Sequence, residues 1–358
     1  MTKILVTGGS GCLGQHIIKH FQEHEQNIDE IRVLDIVEFK QKLEYECKIP
    51  VVSFIGSVTD ISLLYEATRG VKTVVHTAAY IDVRLFPDHE RLDTINRKGT
   101  QLLLEASCEN NVNIFIYCST IDVMQGYDDI INGNEANTKP DKLLFGRYAT
   151  TKQEAERAVL AVNGKKLPNG SIIRTIALRP MVIYGELDLH FVPTAVKAGL
   201  QNRNIMIDFC GNGLCCIQYA GNVAWAFVCA YKAMKLNKAL GGEAFLIKDD
   251  TPYVSMVDFC KPYFEIFGIV VYRSFLPYWI LYFFIQLVQI ILYLISPLKK
   301  VQFPLTLSTL IYTNLKLSFD GSKAKDMLKY NPLYTPEESF RRSVEFYRSF
   351  ISQNKKME

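Results

Sequence analysis

Tyr148 and Lys152 stand four residues apart in a run that reads as the first turns of a helix, so both side chains leave from one face. A phenol ionises near ~10 and is a poor acid or base at neutral pH. An ammonium one turn away stabilises the phenolate, which predicts a Tyr148 drawn down toward working pH and able to move a proton. The spacing alone carries little weight, because Tyr-x-x-x-Lys recurs by chance in helices. Its weight comes from Tyr117-Cys118-Ser119-Thr120, an upstream strand end that finishes in hydroxyls. A hydroxyl there can bond the oxygen of an alcohol or carbonyl and orient it toward the phenol. The chemistry is proton transfer at a carbinol or carbonyl oxygen, the acid–base half of a hydride transfer.

A hydride needs an acceptor, and the N-terminus supplies a place for one. Thr7-Gly8-Gly9-Ser10-Gly11-Cys12-Leu13-Gly14 follows the apolar run Ile4-Leu-Val and opens a helix. Gly8, Gly11 and Gly14 let the loop turn tightly and bring a pyrophosphate to free N–H groups at the helix start. Asp35 closes a second strand about twenty residues on, where a carboxylate bonds ribose hydroxyls and repels a 2′-phosphate. The cofactor expected is NAD, with Lys152 long enough to bond its nicotinamide ribose.

The elements that must position these groups alternate. Strands are predicted at Ile4–Val6, Ile31–Asp35, Val51–Ile55, Thr73–Thr77, Ile114–Tyr117 and Ser171–Leu178. Helices are predicted near 13–25, 61–68, 96–110 and 148–162. Near-continuously apolar strands alternating with helices imply a Rossmann-like, doubly wound parallel sheet covered on both faces. Asn132–Lys142 is rich in loop formers and predicts a mobile surface loop before the helix of Tyr148. The division expected is a cofactor domain over 1–179, a smaller substrate-binding region over 180–273 with strands returning to the sheet, an apolar segment over 274–298 and a helical region over 299–358.

That apolar segment holds no charged residue between Ser274 and Leu298, with Arg273 before it and Lys299 and Lys300 after it. It meets the length of ~18–20 residues for a spanning helix. Pro277, Gln286, Gln289 and Pro297 keep a monotopic helix and a buried core helix open as alternatives. Elsewhere the chain is of ordinary globular composition, 358 residues with 49% hydrophobic and 22% charged. Its net charge of +3 is scattered, which gives nucleic-acid binding no support. Nine cysteines form no C-x-x-C pair, which predicts reduced, mostly buried thiols. His16, His20 and His24 share a helix face at spacing four and could hold a metal, but read more simply as a solvated face; no metal is expected. The opening Met1-Thr-Lys-Ile-Leu-Val runs straight into the glycine loop and lacks the parts of a secretory signal.

Taken together, Gly8/Gly11/Gly14, Asp35, His76-Thr77-Ala78-Ala79, Asn96, Thr120, Tyr148 and Lys152 resemble the extended short-chain dehydrogenase/reductase pattern. More narrowly, the chain resembles the 3β-hydroxysteroid dehydrogenase/Δ5-4 isomerase family. The supporting strings are Ile31-Arg-Val-Leu-Asp35, Gly99-Thr-Gln-Leu-Leu-Leu-Glu-Ala106, Leu178-Arg-Pro-Met-Val-Ile-Tyr-Gly-Glu186, Gly221-Asn-Val-Ala-Trp225 and Asp249-Asp-Thr-Pro252. The resemblance covers nearly the whole chain. It implies Thr120 in the place of the catalytic serine and Thr77 and Ala78 against the cofactor. It also implies oxidation of a 3β-hydroxysteroid by NAD⁺ with a Δ5-to-Δ4 shift. Three departures stand out. Gly56-Ser57 replaces Gly-Asp and removes a carboxylate for the adenine amino group. Met124-Gln125-Gly126 replaces an Ala-Gly-Pro-like turn. Phe245 and Leu246 replace tyrosines, one of which the family uses as isomerisation acid, so the resemblance leaves isomerase activity open.

A sterol partner and an apolar helix in contact with membrane lipid fit one another. Lys355-Lys356-Met357-Glu358 fits a dilysine retrieval signal, giving an endoplasmic-reticulum membrane with the catalytic domain facing the cytosol; a mitochondrial membrane is the alternative. Homodimer and monomer are both compatible with the sequence. Two rival readings stand: an extended short-chain dehydrogenase acting on another lipid alcohol or a nucleotide sugar, and a non-catalytic NAD-binding regulatory relative.

Overall fold

The computed structural model describes residues 2–209 and 213–354. Its centre is one parallel sheet of seven strands: β1 (Lys3–Thr7), β2 (Glu30–Asp35), β3 (Val51–Ile55), β4 (Val71–His76), β5 (Ile114–Cys118), β6 (Arg174–Arg179) and β7 (Glu243–Leu246). The spatial order is β7-β6-β5-β4-β1-β2-β3. Strand β1 shows why both faces are covered. Ile4 and Val6 pack in one core with Ile17, Ile18 and Phe21 of α1 (Cys12–His24), while Leu5 between them packs in another with Leu64 of α2 (Ile61–Thr68) and Leu103 of α3 (Thr100–Glu109). Ala155 and Val159 of α4 (Gly146–Ala161) join the second core, and Phe227 of α5 (Ala220–Leu236) joins the first. Alternate residues of each strand therefore serve opposite layers.

The doubly wound expectation holds, and the differences have local causes. The sixth strand starts at Arg174, because Gly170 at φ +83° and an Ile172–Lys166 bridge turn the chain before it. The helix predicted from residue 96 is preceded by a π-helical turn over Asp93–Gly99. The loop predicted mobile is pinned: Asn134 Oδ1 accepts from the amides of Ala136 and Asn137, and Glu135 accepts from the amide of Leu246 in β7. His16 and His20 are buried, which corrects the solvated-face reading, since α1 packs along α5 and both rings bond backbone carbonyls, of Glu186 and Gly221. None of the eight described cysteines is in a disulfide, and Cys47 is exposed. Cys210 and the Lys355–Glu358 end lie outside the described residues.

Among the described residues three two-stranded parallel pairs lie outside the sheet: Val182–Tyr184 with Ile217–Tyr219 and Ile205–Asp208 with Val270–Arg273, both past β6, and Ile130–Gly133, which precedes it, with Leu317–Phe319. Tyr184, Val192, Tyr263, Tyr347 and Ile351 share one core. The uncharged segment forms α6 (Tyr278–Ile295), one of whose eighteen residues, Ile285, is buried. A last helix, α7, spans Pro336–Asn354.

Candidate active site

Backbone approach, rather than side-chain contact, sets the loop between β1 and α1. Gly8 lies at φ +72°, and a Cβ there would come within 2.8 Å of the Ala78 amide nitrogen. One on Gly14 would meet the Gly8 carbonyl oxygen at 2.2 Å. Neither position accepts a side chain. Gly11 caps α1 with no side-chain hydrogen bond, and the first turn carries no acid. The N–H groups and positive dipole end are thus left to an anion from outside the chain, which is what a pyrophosphate requires.

This loop lies where the winding order reverses between β1 and β4, the crevice in which doubly wound sheets take ligands. Thr77 Oγ1 donates to the Thr7 carbonyl at 2.7 Å, which seats Thr77-Ala78 against Gly8. His76 spans Thr7 and Thr100, with ring-nitrogen to Oγ1 distances of 2.6 and 2.9 Å, and burial holds it neutral, its pKa pushed down to about 3. Asp35 closes β2 beside the loop, accepting from the amides of Ser10 at 3.0 Å and Val37 at 3.3 Å. A carboxylate takes about four hydrogen bonds, so capacity remains for a ribose diol. The crevice fits a dinucleotide.

The catalytic half comes from the ends of β5 and α4. Thr120 caps a single 3₁₀ turn over Ile121–Val123, accepting from the Asp122 amide at 3.2 Å and donating to Asp122 Oδ2 at 2.9 Å. Tyr148 is buried, and Thr120 is the side chain that acts to lower its phenol's pKa. Lys152 donates from Nζ to the Cys118 carbonyl at 2.7 Å, with the ammonium 4.4 Å from the Tyr117 ring centroid. Helix α4 is fixed from several sides. Gln153 bonds the Val123 carbonyl at 2.9 Å, and Arg179 Nε bonds Glu156 at 2.9 Å. Asn96, held in the π-helical turn, grips both backbone groups of Tyr80 and reaches Thr151. The structure thus brings together Tyr148, Lys152 and Thr120 in one half of the crevice, and Gly8, Gly11, Gly14, Asp35, Thr77 and Ala78 in the other.

The electrostatics differ from the sequence expectation in one respect. Burial raises the Tyr148 phenol well above its ordinary value, Asp122 and Cys118 add to that, and Thr120 opposes it. Lys152 does not draw it down, because the ammonium is turned to the Cys118 carbonyl and is itself lowered to about 8 by burial. A phenol held that high is a proton donor, suited to a carbonyl oxygen. Sequence reasoning missed Asp122. Burial lifts its carboxyl to about 6, against the pull of Thr120 and Lys152. Its signal was a carboxylate two residues after the hydroxyl of Thr120, at the spacing by which a tight turn folds back. Tyr312, a buried phenol pushed up partly by Asp122, is a second group the sequence did not flag.

Asp249 has a structural position: it is buried and accepts from the amides of Tyr219 and Thr251 and from Asn222 Nδ2. Phe245 and Leu246 are fully buried, Phe245 in the core under α5 and Leu246 beside Ile121 and Tyr312.

A glycine-loop crevice facing a buried Tyr-x-x-x-Lys pair defines an α/β oxidoreductase of the short-chain dehydrogenase type. Residues 5–277 match the 3-beta hydroxysteroid dehydrogenase/isomerase family, and the chain belongs to it. It is an NAD-dependent extended short-chain dehydrogenase/reductase. Solved structures share its fold across nearly the full length. MoeE5 in complex with UDP-glucuronic acid and NAD is 18% identical with a TM-score of 0.70, covering 97% of this chain and 99% of that one. The Thermus thermophilus UDP-glucose 4-epimerase complex with NAD is 20% identical with a TM-score of 0.67, over 97% and 99%. DesIV, a dTDP-glucose 4,6-dehydratase from Streptomyces venezuelae with NAD and TYD bound, is 19% identical with a TM-score of 0.68, over 97% of each chain.

Proposed function

We propose that the chain oxidises a 3β-hydroxysteroid to the 3-ketosteroid at a membrane surface and then moves the Δ5 double bond to Δ4. Within this family, the observation that favours a sterol is α6. Ten of its eighteen side chains, all rings or aliphatics, are exposed, and its far end touches the loop leading out of the crevice. Tyr293 bonds the Leu85 carbonyl at 3.4 Å and packs on Phe86 at 5.2 Å. A substrate dissolved in lipid would meet the protein there.

Gly8, Gly11, Gly14, Asp35, Thr77, Ala78 and Lys152 hold NAD. When bound, it supplies the hydride acceptor. Thr120 and Tyr148 bond the 3-oxygen, and the phenol oxygen exchanges the hydroxyl proton. Oxidation requires Tyr148 to accept that proton, so positive charge must reach it on loading the crevice, with Lys152 the ammonium at hand. For the second step Asp122 removes a proton from carbon 4, the C4–H electrons form a C3–C4 double bond and the carbonyl pair moves onto the 3-oxygen. As that oxygen pair returns, the C3–C4 pair becomes the C4–C5 double bond and the C5–C6 pair takes at carbon 6 the proton that Asp122 carries. No oxidant is consumed. A carboxylate in that place answers the missing tyrosines at 245 and 246.

Residues 274–298 are assigned to membrane lipid, in the endoplasmic reticulum facing the cytosol, and the 1–179 and 180–273 boundaries to cofactor and substrate halves. The test is to incubate the purified full chain with NAD⁺ and a panel of Δ5-3β-hydroxysteroids, other lipid alcohols and UDP-sugars, resolving Δ5 from Δ4 ketones. Turnover of steroids with Δ4 product is expected. Turnover confined to UDP-sugars or non-steroid alcohols rejects the substrate, and NAD binding without turnover of any of them rejects catalysis.

A further inference from the structure

On α1, at the end away from the glycine loop, three side chains face one another that the reaction does not use. His20 is fully buried, and its Nε2 lies 3.0 Å from the Gly221 carbonyl. A carbonyl only accepts, so that nitrogen carries the proton and Nδ1 carries a lone pair. Nδ1 is buried without a hydrogen-bond partner. Glu23 Oε2 stands 3.8 Å from it and 3.9 Å from His24 Nε2, and the three ligand atoms lie within 4.8 Å of one another. The other Glu23 oxygen is turned to Lys19, at 3.8 Å. Trp225, at the start of α5, packs edge-on against both imidazoles, with centroids 5.8 and 4.9 Å away. Lys232, the cation over that indole, is paired with Glu25 at 3.2 Å.

We propose that His20 Nδ1, a Glu23 carboxylate oxygen and His24 Nε2 bind one zinc-class divalent ion, with water in the fourth position. Two neutral imidazoles and a carboxylate are a zinc donor set with an open place. The backbone carbonyl on Nε2 is the outer partner that metal-bound histidines have, and it fixes the tautomer a metal needs. Contraction of the three atoms onto an ion needs side-chain rotation only, because spacings of three and four place them on one helix face. The ion would tie α1 to the first two turns of α5 through Gly221 and Trp225. It would lie away from Tyr148, so its role is to brace the cofactor helix rather than to react.

The test is titration of Zn²⁺ into metal-stripped full-length protein against a chromophoric chelator, with thermal melting in parallel. Wild type should bind one ion per chain at micromolar affinity or tighter and melt higher with it. His24→Ala and Glu23→Gln, at partly exposed positions that spare the buried ring, should each weaken binding at least tenfold and lose the zinc-induced shift, with NAD binding unchanged. Wild-type affinity in His24→Ala, which would place the ion on thiols or elsewhere, overturns the proposal; so does the absence of micromolar binding.

Discussion

The crevice between β4, β5 and α4 and the helix α6 treat their side chains in opposite ways. In the catalytic half of the crevice Tyr148, Lys152, Thr120 and Asn96 are buried, and three of them are held by a second group: Lys152 by the Cys118 carbonyl, Thr120 by Asp122, Asn96 by Tyr80. Along α6 one residue of eighteen is buried, and Phe275 and Leu298 at its flanks are 93% and 92% exposed. That exposed apolar surface is the one proposed to meet membrane lipid. The catalytic half is built from contacts within the chain, whereas α6 makes few of them, among them those of Tyr293 with Leu85 and Phe86. Chemistry and folding are therefore coupled in the first region and separable in the second.

The largest effect expected is at the centre of the coupled region. Tyr148→Phe keeps the ring in its slot and removes the proton-transfer oxygen, so turnover should fall ~10²–10⁴-fold, with NAD binding by fluorescence titration little changed. More than a tenth of wild-type rate would refute the role. Asp122→Asn should lower Δ5-to-Δ4 conversion at least tenfold and let the Δ5 ketone accumulate, with a smaller loss in dehydrogenation. Because a base must be ionised and burial has raised this carboxyl, wild-type isomerisation should climb as pH rises through about 6. A flat profile between roughly pH 5 and 7 removes Asp122 from that step.

The separable region predicts the reverse. Replacing 276–297 with a short flexible linker removes one fully buried side chain, Ile285, worth ~1.5–3 kcal/mol against the ~5–15 that hold a domain folded. The truncated protein should leave the membrane pellet, stay soluble and bind NAD. Aggregation with loss of NAD binding would mean that α6 belongs to the core.

Much of the coupled region was legible because its signals are local. Strand β1, the three glycines and Asp35 follow from spacing within about thirty-five residues of sequence, and Tyr148 with Lys152 from one helical turn. The electrostatics were not legible. A turn of α4 gives proximity of Lys152 to Tyr148, but the Cys118 carbonyl that claims the ammonium arrives from β5, thirty-four residues earlier. Burial of His16 and His20 was hidden for the same reason, since α5, which covers them, begins two hundred residues after His20. Asp122 needed the 3₁₀ turn, whose three residues carry no periodicity. Strand β7 has four residues and no pattern length to announce it.

The smallest effects lie at the adenosine end. Asp35→Ala should narrow the preference for NAD⁺ over NADP⁺ by removing repulsion of the 2′-phosphate, read as the ratio of the two dissociation constants. Wild-type use of both cofactors alike would overturn that reading of β2. Ser57→Asp is subtler. Gly56 donates its amide to the Asp35 carbonyl at 2.8 Å, so residue 57 sits at the adjoining strand end, beside the place of the ribose. Ser57 Oγ now accepts from the Thr59 amide at 3.2 Å and from its hydroxyl at 2.8 Å, and an aspartate can keep both bonds while turning its second oxygen outward. One added bond to the adenine amino group is worth on the order of 1 kcal/mol, roughly a fivefold lower NAD dissociation constant. Repulsion from Asp35 works against it and weakens with salt, so the gain should be larger at high than at low ionic strength. Tightening at neither ionic strength would show that adenine does not reach residue 57.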